Sequence, residues 1–505
     1  MRMHRIGIGV LFLSAMLAGV STSNGQGIIV PTAGPINSAM AGASTAAPVD
    51  FGGSYWNPAI LSGLDRQEAL ISSALAFPSI HLQSSIQAGA VGGLLPPTNR
   101  YGEARSDSGV VAGLATGFSF RLTDDSPLTL GLGIFGLVGG GVNFGGSYQV
   151  PILTPRRPPR FVGVGPIFAN LSLLSINPIA SLRLSDRLSI GAGPMITVGQ
   201  PSFNPAFFAP GPTGPLGLPT FPAGTNARPY WGAGFQVGLL YELNDHWNFG
   251  FSYKSPIWQE RWNFNATYPL GRAPRQIGVS ASLPEILSWG VAYKGLPRTL
   301  IALDLRYIDY ANTSLFGTSV INGGLGWQSV FAVALGTQYK ATDRLTIRAG
   351  YLYNTNPIHQ EATLFNVQAP GIITNTLSLG ASYDLTEDVT FSMSWVHGFR
   401  NAIEGPVLQL PHSTVRLDAQ VDTLWAGVNI KFGRPRKITP TPVASPAMEG
   451  AIVGDGADTF EIPLPSTTSP AAPSVTSGTL PPLPTDEIPS AVGPIGVESV
   501  APAAG

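Results

Sequence analysis

The feature that most constrains this chain is a two-residue alternation broken by short turns, clearest from Gly336 to Asn354. Tyr339, Leu345, Ile347, Ala349, Tyr351 and Tyr353 share one parity. Gln338, Lys340, Thr346, Arg348 and Asn354 share the other, with Thr342-Asp343-Arg344 between the halves. Successive strand side chains point to opposite faces, and Asp tolerates the backbone of a tight turn. The stretch therefore predicts a hairpin with an apolar face and a charged face. Similar turns recur at Leu122–Leu128, Leu184–Leu188, Leu243–Trp247, Lys294–Arg298 and Leu385–Val389. Longer connections rich in Gly, Pro and Asn lie between them. Short turns on one side and long loops on the other predict an antiparallel up-and-down β-barrel in a membrane. A soluble β-sandwich is the competing reading of the turns alone.

Composition decides between these two. Only 11% of the 505 residues are charged, while 44% are hydrophobic and mean hydropathy is +0.19. Soluble domains carry about 25% charge. Past the N-terminus no apolar run reaches the roughly 20 residues a membrane helix needs. An apolar average without apolar runs fits strands whose lipid-facing residues alternate with lumen residues. The net charge of −1 gives no reason to expect nucleic acid, and the absence of cysteine rules out disulfides and thiol chemistry.

Residues 1–25 read as a secretory signal. Arg2, His4 and Arg5 precede an apolar core from Ile6 to Val20, and small polar residues suit cleavage near Gln26. A retained anchor is the alternative. Residues 26–65 lack strand alternation but contain Ile28, Ile29, Val30, Phe51, Tyr55 and Trp56, so they are expected to plug the lumen as a hatch rather than trail in the periplasm. The barrel is expected over 66–433. Six short turns, with one strand before and one after, make about fourteen strands, near 68–82, 109–123, 127–141, 171–185, 187–200, 229–243, 246–262, 284–294, 298–310, 326–340, 343–356, 374–385, 388–400 and 416–432. Tyr241, Trp247, Tyr339 and Tyr383 beside the turns, and Trp258, Tyr307, Tyr310, Tyr351, Tyr353 and Trp395 toward the loops, suggest two aromatic belts. Residues 434–505 are rich in Pro, Ser, Thr and Ala with scattered acids, and are expected to form a disordered periplasmic tail.

Met40-Ala-Gly42-Ala43, Asp50 and Tyr55-Trp56-Asn57-Pro58-Ala59, together with Leu345–Tyr353, Pro357 and Val396–Asn401, resemble the FadL family of outer-membrane transporters for hydrophobic compounds. The resemblance covers about residues 27–433. It implies a 14-stranded barrel with an N-terminal hatch, capture of a greasy ligand at the extracellular loops, and a kinked third strand that opens the wall sideways. It also implies recognition by barrel-assembly machinery through the terminal Phe432.

Several candidate sites follow. Trp56, Asn57, Pro58 and Ala59 stand where the hatch turns into the wall. Gly139, Gly140 and Gly141 are expected to interrupt the third strand's ladder, or to make room for the hatch. Phe203, Phe207, Phe208, Leu216 and Phe221 lie in a proline-rich loop that either binds an apolar ligand or folds over itself. Strand parity places Arg121, Arg183, Lys254, Asp304, Arg306 and Arg348 in the lumen. Lys254, Arg306 and Arg348 could hold a carboxylate head group or join a salt-bridge network with the hatch. Arg156, Arg157 and Arg160 suit lipopolysaccharide phosphates, or failing that a substrate carboxylate.

No catalytic constellation is visible. The histidines at 4, 81, 246, 359, 397 and 412 lack metal-ligand spacing. We therefore read no enzyme, no cofactor and no metal. The expectation is a monomeric barrel for passive uptake of long-chain fatty acids or aromatic hydrocarbons, surrounded by outer-membrane lipid and lipopolysaccharide. An accessory subunit of a secretion or assembly system is the alternative, and a general porin is disfavoured by the hatch.

Overall fold

The computed structural model describes residues 26–435, apart from 94, 156–162, 212–219, 226–227, 268–274 and 408–409. The signal, nearly all of the tail, Leu216 and the three loop arginines fall outside these residues.

Fourteen wall strands run in chain order. They are β1 (Gln67–Ile86), β2 (Val111–Phe120), β3 (Leu128–Phe144), β4 (Ile167–Arg183), β5 (Leu188–Gly199), β6 (Tyr230–Glu242) and β7 (Trp247–Lys254). β8 (Ile286–Tyr293), β9 (Thr299–Ile308), β10 (Val330–Lys340), β11 (Leu345–Asn354), β12 (Asn375–Asp384), β13 (Val389–Pro406) and β14 (Thr414–Phe432) complete them. Every neighbour pair is antiparallel, and β1 pairs with β14 from Gln67↔Phe432 to Ser85↔Thr414, which closes the barrel. Closure leaves no unpaired first or last strand for lipid to meet. At the seam Arg66 reaches Asp388 at 2.7 Å and donates to the Gly433 carbonyl at 3.1 Å.

The alternation explains the wall. Ile347, Tyr351 and Tyr353 of β11 are exposed, whereas Arg348, Gly350, Leu352 and Asn354 are buried. Tyr241, Trp247, Tyr339 and Tyr383 are exposed near the short turns, as Trp258, Tyr351 and Tyr353 are near the long loops. Tyr310 departs from the belt. It is fully buried among Phe316 and Trp327, with ring centroids 6.2 and 4.9 Å away. Its parity is opposite to that of lipid-facing Tyr307, and the chain has left β9 by that point.

Residues 26–62 fill the lumen, nearly all of them buried. A short helix, α1 (Gly34–Ala39), begins with proline in its first turn, where the missing N–H costs nothing. Inward-facing small residues on the far wall admit the backbone that follows. A Cβ on Gly350 would lie 2.4 Å from the Met40 carbonyl carbon, and one on Gly250 would lie 2.0 Å from the Thr45 carbonyl oxygen. Buried Ala292, Ala302, Ala332 and Ala334 pack beside them.

The long connections add their own strands. Arg100–Arg105 extends the partner of β1 beyond β2. Ser202–Asn204, Ala223–Thr225, Trp262–Thr267 and Arg275–Val279 pair in succession above β4 and form a canopy.

Candidate functional site

The wall opens between β2 and β3. β2 pairs with β3 only from Ala115↔Phe135 to Phe120↔Leu130. Val111 to Leu114 stay with β1, opposite Ala76 to Ser73. Contact with β3 resumes higher up, where Asp107 N–H donates to the Asn143 carbonyl at 2.8 Å and Asn143 N–H to Ser106 Oγ at 2.9 Å. The edge of β3 from Gly136 to Gly140 is thus left without a wall partner in β2.

The cause is local. β3 shifts register against β4 between Gly136 and Val138, so Leu137 is an extra residue. A bulge bends its strand and increases its twist. Leu137 and Val138 are adjacent apolar residues, and both are buried. Alternation must break to turn both inward. Below the bulge, Phe135 is anchored against Phe51 and Tyr55, with centroids at 6.2 and 5.4 Å. The expected interruption at Gly139–Gly141 is met on the β2 side, where Gly139 and Gly140 have no ladder partner, but not on the β4 side. The β3–β4 ladder runs through these glycines, opposite Ser172, Leu171 and Asn170, and the irregularity sits two residues earlier.

The start of the described chain occupies this gap. Val30 N–H donates to the Leu137 carbonyl at 2.9 Å, Ile29 bridges Val138, and Gly139 N–H reaches the Ile28 carbonyl at 3.4 Å. Tyr310 Oη holds the same segment, accepting from the N–H groups of Ile28 at 3.1 Å and Ile29 at 3.2 Å while donating to the Gln26 carbonyl at 2.7 Å. Behind the gap is a narrow cavity of about 30 Å³, lined by Ala76, Pro78 and Ile80 of β1, Val111, Gly140, Gly141, Pro370, Ile373 and Ala419–Val421 of β14. Gln420 is its one polar side chain and it has no charged lining group.

A second cavity of about 250 Å³ lies at the short-turn end of the lumen. Its lining includes Asp50, Glu68, Lys340, Arg348, Asp384 and Lys431. Burial pushes the Asp50 carboxyl up to about 6, against the opposing pull of the Arg348 guanidinium.

The predicted site residues divide into three groups. At the hatch turn, Asn57 Nδ2 donates to the carbonyls of Thr45 at 2.7 Å and Leu239 at 2.9 Å, and Oδ1 accepts from Ala59 N–H at 3.0 Å. The Ala59 carbonyl accepts from Ser181 Oγ of β4 at 3.2 Å, and the Trp56 carbonyl from Ser252 Oγ of β7 at 2.7 Å. Pro58 packs so closely on Gly238 that a Cβ there would lie 2.9 Å from its Cδ.

The lumen cations form the second group. Arg306 pairs with Asp304 at 2.9 Å, bonds the Gly42 carbonyl, and stacks on Trp56 with Cζ 3.7 Å from the ring centroid. Asp304 in turn accepts from the N–H groups of Ser44 and Thr45, each at 3.0 Å. Lys254 Nζ lies 4.1 Å from the Tyr55 ring and 4.8 Å from Trp56. It has no carboxylate partner among the described residues. Arg348 donates to Gln338 at 2.8 Å and Ser382 at 2.5 Å, so it belongs to the polar cavity rather than to the Trp56 cluster.

The loop aromatics make up the third group, and they fold over one another. Phe203 packs on Phe208, Trp262 and Phe264, while Phe207 packs on Phe221 and Phe365. Phe203 and Phe207 are buried, so these residues form the canopy's core instead of an open groove. Tyr310 was expected in the loop-side aromatic belt and Ile28 to Val30 in the lumen, and neither was expected at the lateral gap. The inward parity of Tyr310 was the available signal.

Comparison with known proteins agrees with this architecture. The family described as outer membrane protein transport protein (OMPP1/FadL/TodX) matches residues 14–431. The long-chain fatty acid transport protein of Salmonella typhi is 25% identical over 199 residues, covering 35% of this chain and 45% of that protein. Its counterpart from Escherichia coli K12 is 26% identical over 204 residues, covering 35% and 44%. The chain thus spans under half the length of these curated relatives. A Pseudomonas aeruginosa FadL homologue superposes with a TM-score of 0.61 at 18% identity, covering 81% of this chain and all of that one. The toluene transporter TodX of P. putida superposes at 0.59 and 17%, covering 82% and all of that chain, which extends the likeness in fold. With the family model spanning most of its length, the chain belongs to the OMPP1/FadL/TodX family of outer-membrane transport proteins.

Proposed function

We propose that this protein takes up hydrophobic molecules passively and releases them sideways into the outer membrane through the gap between β2 and β3. The observation that carries this reading is the uncharged cavity behind a break in the wall. An apolar solute gains nothing by crossing water. Going straight down, it would have to pass a polar cavity lined by Asp50, Glu68, Lys340 and Arg348. Going sideways, it meets Ala76, Ile80, Val111 and Ile373 and then lipid.

In this reading the arrangement is a closed state. The 30 Å³ cavity has room for about one water but not for a ligand. Residues 28–30 are the stopper, because their bonds to β3 are few and lie at the gap itself. The canopy aromatics Phe203, Phe207, Phe208 and Phe221 would part to admit the ligand, exchanging contact with one another for contact with it. Long-chain fatty acids and aromatic hydrocarbons, as carried by the relatives' names, are the substrate classes. For a fatty acid, Lys254 is the cation left to meet the carboxylate, since Arg306 is engaged by Asp304.

Filling the cavity tests this. Ala76→Val combined with Ala419→Val adds four methyl groups to its lining while leaving the backbone ladder in place. Uptake of labelled oleate and labelled toluene should fall to background in cells whose barrel remains heat-modifiable on gels. Wild-type uptake by that folded variant would defeat lateral release, and a steady, large current through the wild-type protein in planar bilayers would favour a porin.

A further inference from the structure

We propose that Gln26 is a modification site: the exported chain begins at this residue, and its side chain is cyclised onto its own amine to form a pyroglutamyl lactam. This rests on the reading that export removes residues 1–25, and it adds a covalent feature to the stopper of the lateral gap. Ser23 and Gly25 are the small residues that cleavage ahead of Gln26 requires.

The geometry fixes the position of this residue. Gln26 is fully buried. Its carbonyl accepts from Tyr310 Oη at 2.7 Å. The next residue, Gly27, has a positive φ of 72°, and a Cβ there would fall 2.7 Å from Tyr310 Oη and 2.8 Å from the Trp327 ring. Ile28 to Val30 then pair with β3. The first residue therefore cannot swing out to water without dismantling the stopper.

Its chemistry is wrong for that place as long as it remains an open glutamine. Neither Oε1 nor Nε2 of Gln26 has a hydrogen-bond partner. An unpaired buried amide costs about 1–3 kcal/mol. Cleavage ahead of Gln26 would add an α-ammonium in the same apolar surroundings, where an isolated charge is far more costly. Attack by the neutral α-nitrogen on Cδ removes the charge and the unpartnered NH₂ together. An N–Cδ bond forms, the Cδ–Nε2 bond breaks, and Nε2 leaves as ammonia carrying the proton released by the α-nitrogen. No oxidant or co-substrate is needed. The product is a neutral ring with one N–H and one carbonyl in place of a charge and an unpartnered NH₂.

The test uses the full-length protein purified from outer membranes and unfolded before labelling, because burial alone would shield a free amine. Trypsin releases an N-terminal peptide ending at Arg66, the first basic residue after Gln26. The peptide should be lighter than its unmodified sequence by one ammonia and should not react with an amine reagent. A peptide starting at Gln26 with a reactive amine overturns the cyclisation while leaving the cleavage site intact. A peptide starting elsewhere overturns the proposal at its premise and leaves the lateral-release reading untouched. As a control, exported Gln26→Ala should carry a labelled amine in the same protocol. Failure of that variant to label would show that the block has another cause and would overturn the assignment to the glutamine side chain.

Discussion

Replacing Asn57 with alanine should loosen the lumen segment from the wall without opening the barrel. Asn57 is fully buried and makes three hydrogen bonds, to Thr45 within the segment, to Leu239 of β6 and to Ala59 at the turn. Each net bond is worth about 0.5–1.5 kcal/mol, so removing all three costs roughly 3 kcal/mol. Only the bond to Leu239 crosses to the wall, so about 1 kcal/mol of this acts directly on seating, roughly a fivefold shift in the ratio of seated to unseated segment. The wall cannot relax to compensate: Gly238, which faces Asn57, has no side chain to fill the space. The β5–β6 and β6–β7 ladders do not use the Asn57 side chain, so the barrel should stay folded. Planar-bilayer recording should show rare openings in the wild type and frequent ones in Asn57→Ala, with heat-modifiable migration unchanged. A variant as closed as the wild type would refute the claim that this residue seats the segment.

Tyr310→Phe removes the acceptor of the Ile28 and Ile29 N–H groups and the donor to Gln26, costing about 2 kcal/mol. Amide exchange at Ile28 to Val30 should then quicken by roughly thirtyfold, and unchanged exchange would free Tyr310 of that role. Asp50 holds its proton more tightly when folded than when unfolded, so the stability of the lumen segment should fall as pH rises between 3.8 and about 6. The full loss is about 3 kcal/mol at roughly 1.4 kcal/mol per pKa step, and Asp50→Asn should reduce the slope in amide exchange at residues 50–56 across that range. Deleting Pro435–Gly505 should leave barrel assembly intact, because Phe432 still pairs with Gln67 and Arg66 still bonds Gly433. Loss of heat-modifiable barrel after truncation would give the tail a structural part.

The wall was legible because lipid and lumen impose opposite chemistry on alternate residues. Arg306 and Arg348 inside, and Tyr351 and Tyr353 outside, follow from parity alone. The lateral gap was only partly legible. Glycine density pointed to β3, but the break follows the Leu137-Val138 pair, where two apolar residues both turn inward. A search for lapses in alternation would have found it. For the loop aromatics the sequence left ligand binding and self-packing open, for a different reason. Phe203 and Phe207 look exposed in a linear loop, yet they are covered by Trp262, Phe264 and Phe365, which come from connections far along the chain. No local pattern reports such contacts. The split of the second wall strand into Arg100–Arg105 and Val111–Phe120 escaped for the same reason, since both pieces are set by pairing with β1.

The route itself can be read by photo-crosslinking. A long-chain fatty acid bearing a diazirine near its tail would be loaded onto cells and illuminated during uptake, and the labelled residues identified by mass spectrometry. Lateral release predicts labels at Ala76, Ile80, Val111, Ile373 and Ala419 around the gap. Labels at Ile36, Val49 and Leu300, around the polar cavity below the lumen segment, with none at the gap, would contradict it and establish an axial path.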